Sequence, residues 1–446
     1  MSSTPTFPHS SSGKKLSHLT LWPLIASTFF MVSGGTFGTE EIVHGAGYGR
    51  ALIILLLTPL LWSLPTAYML GELSSALPEE GGYYAWVRRA LGDFWGFQEA
   101  WLSLVASIFD MAIYPTLFIA YLARLVPFLT TGNRGILMGL AVITICVGLN
   151  ILGIRVVGLT SLWLMVLLSL PFAVIVLVAP LRHGLGQAPA VPSASTVGIL
   201  GGLVIAMWNY MGWDNASTIA AEVEDPQRTY PRALFGAVLI VALTYVLPVA
   251  AMSLTGIAPA EWETGSWADL GVRVGGPWLG VAVAVAAMMS AFGMFNALVM
   301  SYSRLPLAMA QDGMLPAVFA RVHPRTRAPW VSIVVLAAAW ACCLGLGFER
   351  LITIDILIYG AALALEFVAL VVLRFTEPGL PRPFAVPGGK PGVVLVGLAP
   401  LLLLGFSVVH SQSETLLGMS GLAFGLLLMA AGVAAFGFRR LLQRLS

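Results

Sequence analysis

Charged side chains are scarce in this sequence. Asp, Glu, Lys and Arg make up 10% of its 446 residues, while 58% are hydrophobic. A soluble domain carries about 25% charged residues, so a soluble globular fold is excluded and a multi-pass membrane protein is expected. The net charge is only +2, and the charges are confined to connections and a few points inside apolar runs, so no nucleic-acid partner is expected. Cysteine is nearly absent too. Cys146, Cys342 and Cys343 lie in apolar segments, show no metal-ligand spacing, and read as small buried hydrophobes. The six histidines, His9, His18, His44, His183, His323 and His410, are scattered over segment ends and loops. That leaves no nucleophile–base pair and no metal cluster, so neither an enzyme nor a metal or organic cofactor is expected. The first eighteen residues are Ser- and Pro-rich with Lys14 and Lys15, and lack an apolar core and a cleavage site. They read as a short disordered cytoplasmic tail (1–18), not a signal peptide.

Apolar runs fill the chain instead. A membrane helix takes about 20 apolar residues, and twelve such segments are present: roughly 19–47, 51–77, 94–126, 134–152, 156–180, 197–222, 232–257, 277–311, 329–347, 350–374, 391–411 and 414–438. Connections are short, so no soluble domain is expected, and 439–446 reads as a second cytoplasmic tail. Lys/Arg bias sets the orientation. With the N-terminus inside, seventeen of the twenty-three Lys and Arg residues fall on the cytoplasmic side; Arg50, Arg124, Arg134, Arg182, Arg273 and Arg350 fall outside. Both termini are therefore expected in the cytoplasm. After Pro78-Glu79-Glu80-Gly81-Gly82, Tyr83 to Leu91 reads as an amphipathic helix on the inner face, with Arg88 and Arg89 toward lipid headgroups. The outer loop from Ala258 to Gly276 carries Trp262 and Trp267, expected as interface anchors; a gating role for this loop is the alternative.

Two segments do not read as unbroken helices. The first contains Met31-Val32-Ser33-Gly34-Gly35-Thr36-Phe37-Gly38-Thr39-Glu40-Glu41. Each glycine costs a helix roughly 1 kcal/mol against alanine, and three fall close together, followed by two carboxylates. Non-helical backbone at membrane depth occurs only where it is buried in protein or lines a cavity. A close helix–helix contact through small residues is the alternative. The sixth segment repeats the anomaly with Trp208-Asn209-Tyr210-Met211-Gly212-Trp213-Asp214-Asn215. Interruptions at corresponding positions point to an inverted-repeat transporter, although no residue-level identity links the halves. The half-helix starting near Phe37 would present N–H groups and a positive dipole end to an anion. The half ending near Asn209 or Tyr210 would present carbonyls to an ammonium group or cation. Together they would hold a zwitterion such as an amino acid.

Seven acids, Glu40, Glu41, Glu72, Asp110, Asp214, Asp355 and Glu366, fall within or near the ends of spans. Each is costly at the bilayer centre and is a functional candidate by default. Glu72 and Glu366 read equally well as bonds between helices, and Asp110 as a protonated carboxyl on a backbone carbonyl. Only Arg155 and Arg304 are available as inner partners. The acid excess favours a cation: a diamine, a cationic amino acid or a coupling proton. Sodium would instead need oxygen ligands from the first break and from Ser290, Ser301 or Ser303. Phe37, Tyr114, Trp208, Tyr210, Trp213, Phe292 and Tyr359 offer cation–π faces; Phe37, Trp208 and Tyr210 lie in the breaks.

The pattern Ser33-Gly34-Gly35-x-Phe37-Gly38-x-Glu40 is joined by Pro78 to Tyr83, Gly92-Asp93-Phe94-Trp95-Gly96-Phe97-Gln98, Trp208-Asn209 and Trp213-Asp214. Glu222-Val223-Glu224-Asp225-Pro226, Met309 to Pro316 and Leu365-Glu366-Phe367 complete it. Over about residues 19–390, this set resembles the amino acid–polyamine–organocation permeases, and among them the polyamine:proton symporters and L-type amino acid carriers. The resemblance implies an all-α membrane protein with twelve transmembrane helices and a five-plus-five inverted repeat. Helices 1 and 6 would be broken and helices 11 and 12 added: repeat one 19–180, repeat two 197–374, then 391–438. It implies alternating access, with substrate between spans 1, 3, 6, 8 and 10, and amine contacts at Glu40, Asp110, Asp214 and Tyr359. The expected binding residues are Ser33, Gly34, Gly35, Phe37, Gly38, Glu40, Asp110, Trp208, Asn209, Tyr210, Trp213, Asp214 and Tyr359. The expected function is a secondary active permease of the cell membrane for amino acids or related amines such as polyamines, coupled to a proton. A neutral amino acid permease or exchanger, and a binding sensor without net transport, are the alternatives. Its partners would be a small-molecule substrate and the lipid bilayer. Some related permeases carry a coupling Lys in span 5, where this chain has only Arg155, so the proton carrier is unassigned.

Overall fold

The computed structural model describes residues 18–183, 196–344, 348–410, 415–416 and 419–445; the expected tail before His18 lies outside them. Apolar runs place helices where hydropathy puts them. α1 (Leu21–Val32) enters the first break and α2 (Glu40–Thr58) leaves it. A single π turn, Pro59–Ser63, leads into α3 (Leu64–Ala76). Then follow α4 (Tyr83–Leu91), α5 (Asp93–Leu125), α6 (Asn133–Ile151), α7 (Ile154–His183) and α8 (Thr196–Asn209). α8 enters the second break and a 3-10 run, Trp213–Glu222, leaves it. The remaining helices are α9 (Pro226–Ser253), α10 (Trp267–Gly275), α11 (Pro277–Tyr302), α12 (Arg304–Gln311) and α13 (Trp330–Cys342). α14 (Phe348–Thr376), α15 (Gly389–His410) and α16 (Gly421–Leu445) close the chain. Among the described residues, strand pairing is limited to Thr415–Leu416 with Met419–Ser420.

Among the described residues, nine helical stretches are long and apolar enough to cross a membrane, and Leu21–Val32 and Trp330–Cys342 are apolar but shorter. The chain is an all-helical, multi-pass membrane protein. The gap expected between the first two segments is only a kink: Glu40–Ala76 runs on as one stretch, bent at Gly47, whose φ of 74° is the one non-helical value inside α2. At the other end α16 continues to Leu445, through most of the stretch read as a tail. The centre of the fold is α5, α11 and α14. Some 61–67% of their most apolar windows is buried, against 28% for α15 and 17% for α16, which pack on the outside.

Several local expectations change. α4 has the expected bounds, and Arg88 pairs with Asp93 and Asp312, and Arg89 with Glu377, while both side chains stay part-exposed. Trp262 and Trp267 are fully buried rather than anchored at an interface. Their rings meet edge to face at 4.9 Å, and Trp262 donates to Tyr48 Oη at 2.9 Å. Cys342 is exposed, not buried. Arg155 is exposed and cannot partner the intramembrane acids. Glu72 is a structural bond: its buried carboxylate takes Arg374, Arg382 at 3.0 Å and the Val386 N–H at 2.7 Å. Glu366 is the opposite case. Both its oxygens are buried without a hydrogen-bond partner.

Candidate functional site

The first break spans 33–39, between Val32 and Glu40. Gly34, Gly35 and Gly38 all have positive φ, at 63°, 113° and 92°, a region that side chains disfavour. Space is as tight as conformation. A Cβ on Gly34 would lie 2.4 Å from Met294 Sδ, and one on Gly38 would lie 2.7 Å from Asn209 Oδ1. The freed backbone groups are taken up within the segment. Ser33 Oγ accepts the Gly35 N–H at 3.0 Å, and Glu40 Oε2 accepts the Gly38 N–H at 2.7 Å. Thr36 reaches outward to donate to Thr244 O at 2.7 Å.

The second break is shorter, and distant side chains hold it. Gly212 sits at φ 90°, with its N–H on Tyr359 Oη at 3.0 Å. The Tyr359 hydroxyl in turn donates to Asp214. The carbonyl at the end of α8, Asn209 O, accepts the Tyr245 hydroxyl at 2.7 Å, and Tyr210 O accepts the Trp213 indole at 2.7 Å. Asn209 Nδ2 donates to Gly38 O at 3.2 Å and so ties the two breaks together. Beyond the break, the 3-10 run is pinned at the Leu19 end of the molecule. Leu19 and Glu222 exchange a main-chain bond at 2.9 Å, as do Glu224 and Leu19. The Gly81 N–H reaches Thr218 O at 3.3 Å and the Tyr83 N–H reaches Ser217 Oγ at 3.2 Å. Arg304 bonds Glu222 at 2.9 Å. Close by in the connection before α4, burial, with the Glu222 charge added to it, holds the Glu80 carboxyl above its ordinary range.

The breaks meet at a cavity of about 420 Å³, within the usual span of small-ligand sites. Ser33, Phe37, Gly38, Glu40, Asp110, Trp208, Asn209 and Tyr359 line it. The other expected residues stand behind the wall. Gly34 and Gly35 shape the turn; Tyr210 donates to Leu55 O at 2.8 Å; Trp213 braces Tyr210; Asp214 is held by Tyr359. Asp110 accepts the Tyr114 hydroxyl at 2.6 Å. The lining also takes in Tyr114, Leu117 and Tyr121, which follow Asp110 at helical spacing on α5, and Asp355, one turn before Tyr359 on α14. That spacing was the available signal for them. Met211 and Asn215 of the second break also reach the wall, as do Ser290, Met294 and Tyr302 of α11, which no such pattern marked. Away from Leu19 the cavity meets Thr264, which donates to Glu41, so the Ala258–Gly276 loop contributes to the wall. Phe292 turns its carbonyl to Cys146 and is not part of the lining. Ser301 and Ser303 are engaged by Asn215 and by Met300 O.

Chemically, the wall is acidic and aromatic. Glu40, Glu41, Asp110 and Asp355 contribute carboxylates, and no Lys or Arg is among the described lining residues. Asp355 Oδ2 has no hydrogen-bond partner. Behind the wall, Glu99 Oε2 and both oxygens of Glu366 are likewise unpartnered. The zwitterion geometry expected of the breaks is altered: Glu40 takes the Gly38 N–H, and tyrosine and tryptophan donors take the carbonyls at the end of α8, leaving each one lone pair.

The sequence profile of the amino acid permease family matches residues 25–436. Polyamine transporter RMV1 of Arabidopsis thaliana is 35% identical over 425 residues, covering 93% of this chain and 85% of its own. Polyamine transporter PUT1 of Oryza sativa is 35% identical over 430 residues, covering 95% of this chain and 79% of its own. An uncharacterized transporter of Mycobacterium tuberculosis is 27% identical over 430 residues, covering 93% and 89%.

Proposed function

We propose that this chain, which belongs to the amino acid permease family and is a transporter of amino acids or polyamines, carries organic amines together with protons by alternating access. The observation that carries the amine reading is the cavity wall: Asp110, Asp355, Glu40 and Glu41, with the rings of Phe37, Tyr114, Tyr121, Trp208 and Tyr359, and no described cation. Carboxylates and aromatic faces are what an ammonium group binds. Relatives named polyamine transporters support the same reading. The residues expected as a binding set act in two layers, Asp110 and the lining aromatics on the substrate, and Gly34, Gly35, Tyr210, Trp213 and Asp214 on the shape of the breaks. The coupling ion is a proton, and no cofactor takes part. Glu366, Glu99 and Asp355 are buried acids with unpartnered oxygens, and such groups in a membrane are where a proton is carried.

The finer architecture belongs to the same proposal. Twelve spans form two inverted repeats, 19–180 and 197–374, with 391–438 added. Residues 1–18 and 439–446 lie in the cytoplasm, and the protein sits in the cell membrane. Breaks in the first and sixth segments favour this arrangement. Reconstitution of the purified protein into liposomes tests it. An inward proton gradient is expected to drive accumulation of labelled putrescine above its outside concentration, and collapse of the gradient to abolish it. Binding without accumulation would make the protein a sensor. The family's description, amino acid permease, favours one further reading, a carrier of amino acids, which the same liposomes would reveal by accumulating an amino acid such as leucine but not putrescine.

A further inference from the structure

We infer that the Glu40 side chain occupies the place where the carboxylate of an α-amino acid would bind, so that the site accepts amines and turns away their α-carboxylated counterparts. The inference rests on the reading of the cavity as the transport site. Where an unwound segment leads into a helix, N–H groups and the positive dipole end converge, and an anion is the natural occupant. Here the helix begins with its own anion. Glu40 Oε2 accepts the Gly38 N–H at 2.7 Å, and Oε1 accepts the Gly265 N–H at 3.2 Å and the Tyr121 hydroxyl at 3.3 Å. Those donors come from the break, the Ala258–Gly276 loop and α5. The side chain is buried yet forms part of the cavity wall. Of the neighbouring donors, the Gly35 and Thr39 N–H groups are held by Ser33 Oγ and Thr36 O.

The composition of the wall is an independent observation. An incoming carboxylate would face Glu41, Asp110 and Asp355 and meet no Lys or Arg among the described lining residues, while an ammonium group meets the opposite. Putrescine and ornithine share one carbon chain and both nitrogens; agmatine and arginine share the carbon chain, the amine and the guanidinium. Each pair differs by a single carboxylate, the group whose donors Glu40 already holds.

The test is competition of both pairs against a radiolabelled diamine on the purified full-length protein. Wild type is expected to prefer each amine over its amino acid by roughly 100-fold, the reach of one or two charge-assisted hydrogen bonds. Glu40→Ala uncovers the Gly38 and Gly265 donors and removes one repelling charge. It is expected to shrink the preference about tenfold, through tighter amino acid binding. Glu40→Gln keeps the shape and one acceptor while losing the charge; it is expected to move the ratio less in the same direction, and it serves if the alanine variant does not fold. Equal wild-type affinity for amine and amino acid overturns the inference, as does an unchanged ratio in the variants. Loss of diamine binding in Glu40→Ala with no gain for ornithine also overturns it, making Glu40 a direct amine ligand. Failure of the broader reading looks different: wild type would bind amines with the predicted ratio and still not accumulate them.

Discussion

The two breaks solve one problem in two ways. The first runs through seven residues, 33–39, and uses side chains of its own stretch, Ser33 and Glu40, to take up freed N–H groups. The second runs through three, 210–212, and borrows hydroxyls from Tyr245 on α9 and Tyr359 on α14. A break satisfied locally can keep its shape while neighbouring helices shift. A break satisfied remotely holds its shape only while those helices stay in place, and so reports their positions. The second break is thus held chiefly from α9 and α14, whereas the first, though also tied to Thr244, Asn209 and Tyr121, keeps two of its N–H groups on its own side chains.

The largest effect separates the breaks by what their glycines touch. A Cβ on Gly212 would lie 2.5 Å from the Met31 carbonyl oxygen, which is backbone, whereas one on Gly34 first meets the flexible Met294 side chain. Overpacking costs about 1–3 kcal/mol. Gly212→Ala is expected at or beyond the upper figure, with uptake abolished; Gly34→Ala is also expected to be severe but partly rescued by Met294→Ala. Labelled amine uptake, normalised to protein in the membrane, decides it; rescue of neither or of both would remove the distinction. Next comes Asp110→Asn, in neither break, expected to lower diamine affinity roughly 10–100-fold, as for a hydrogen bond to a charged group, while the protein still reaches the membrane. Unchanged diamine uptake in this variant would return Asp110 to a structural role.

Hydroxyl deletions are smaller and go to the heart of the contrast. Tyr359→Phe removes the one group that bridges Gly212 and Asp214 and is expected to slow uptake about tenfold, near 1.4 kcal/mol. Tyr121→Phe leaves Glu40 two other donors and is expected to change uptake less than about threefold. Equal effects would show that both breaks depend on remote contacts. The smallest effect concerns pH. Because burial, with the Glu222 charge added to it, raises the Glu80 carboxyl in the arrangement described, that arrangement is favoured while Glu80 is protonated. The advantage is lost as pH rises from the ordinary carboxylate range through the raised value. Glu80→Gln should flatten this part of the pH dependence of uptake, leaving its maximum in place.

Glycine clusters and lone carboxylates were legible because each breaks a local rule: helix propensity in one case, the cost of charge in lipid in the other. Asp110 stood out in this way, and the turn-by-turn stripe after it supports Tyr114, already among the aromatic candidates, and would have added Tyr121. Partners across the bundle were not legible. Glu72 and Glu366 have equal standing in the sequence, yet one meets two arginines and the other meets none, and only the packing of α3 and α14 separates them. Trp262 and Trp267 look like interface residues because tryptophan favours interfaces, and nothing in their neighbours announces that the loop folds inward. Tyr210 lies in the break, as read, and Trp213 directly after it, but their polar atoms point to backbone rather than to the cavity; Trp208 ends up on the last turn of α8.

The pinning at the Leu19 end has a consequence for voltage. If the proposed carrier opens at that end, four bonds with main-chain donors, from Leu19, Glu224, Gly81 and Tyr83, would have to part. At about 0.5–1.5 kcal/mol net each, they amount to about 2–6 kcal/mol. One elementary charge crossing 100 mV gains about 2.3 kcal/mol, so a diamine with two charges gains about 4.6. The electrical energy of the cargo is thus of the same size as the seal it must break. A neutral solute gains nothing from the field, so for it opening of the same seal would draw on thermal motion and on the charge of any proton carried with it.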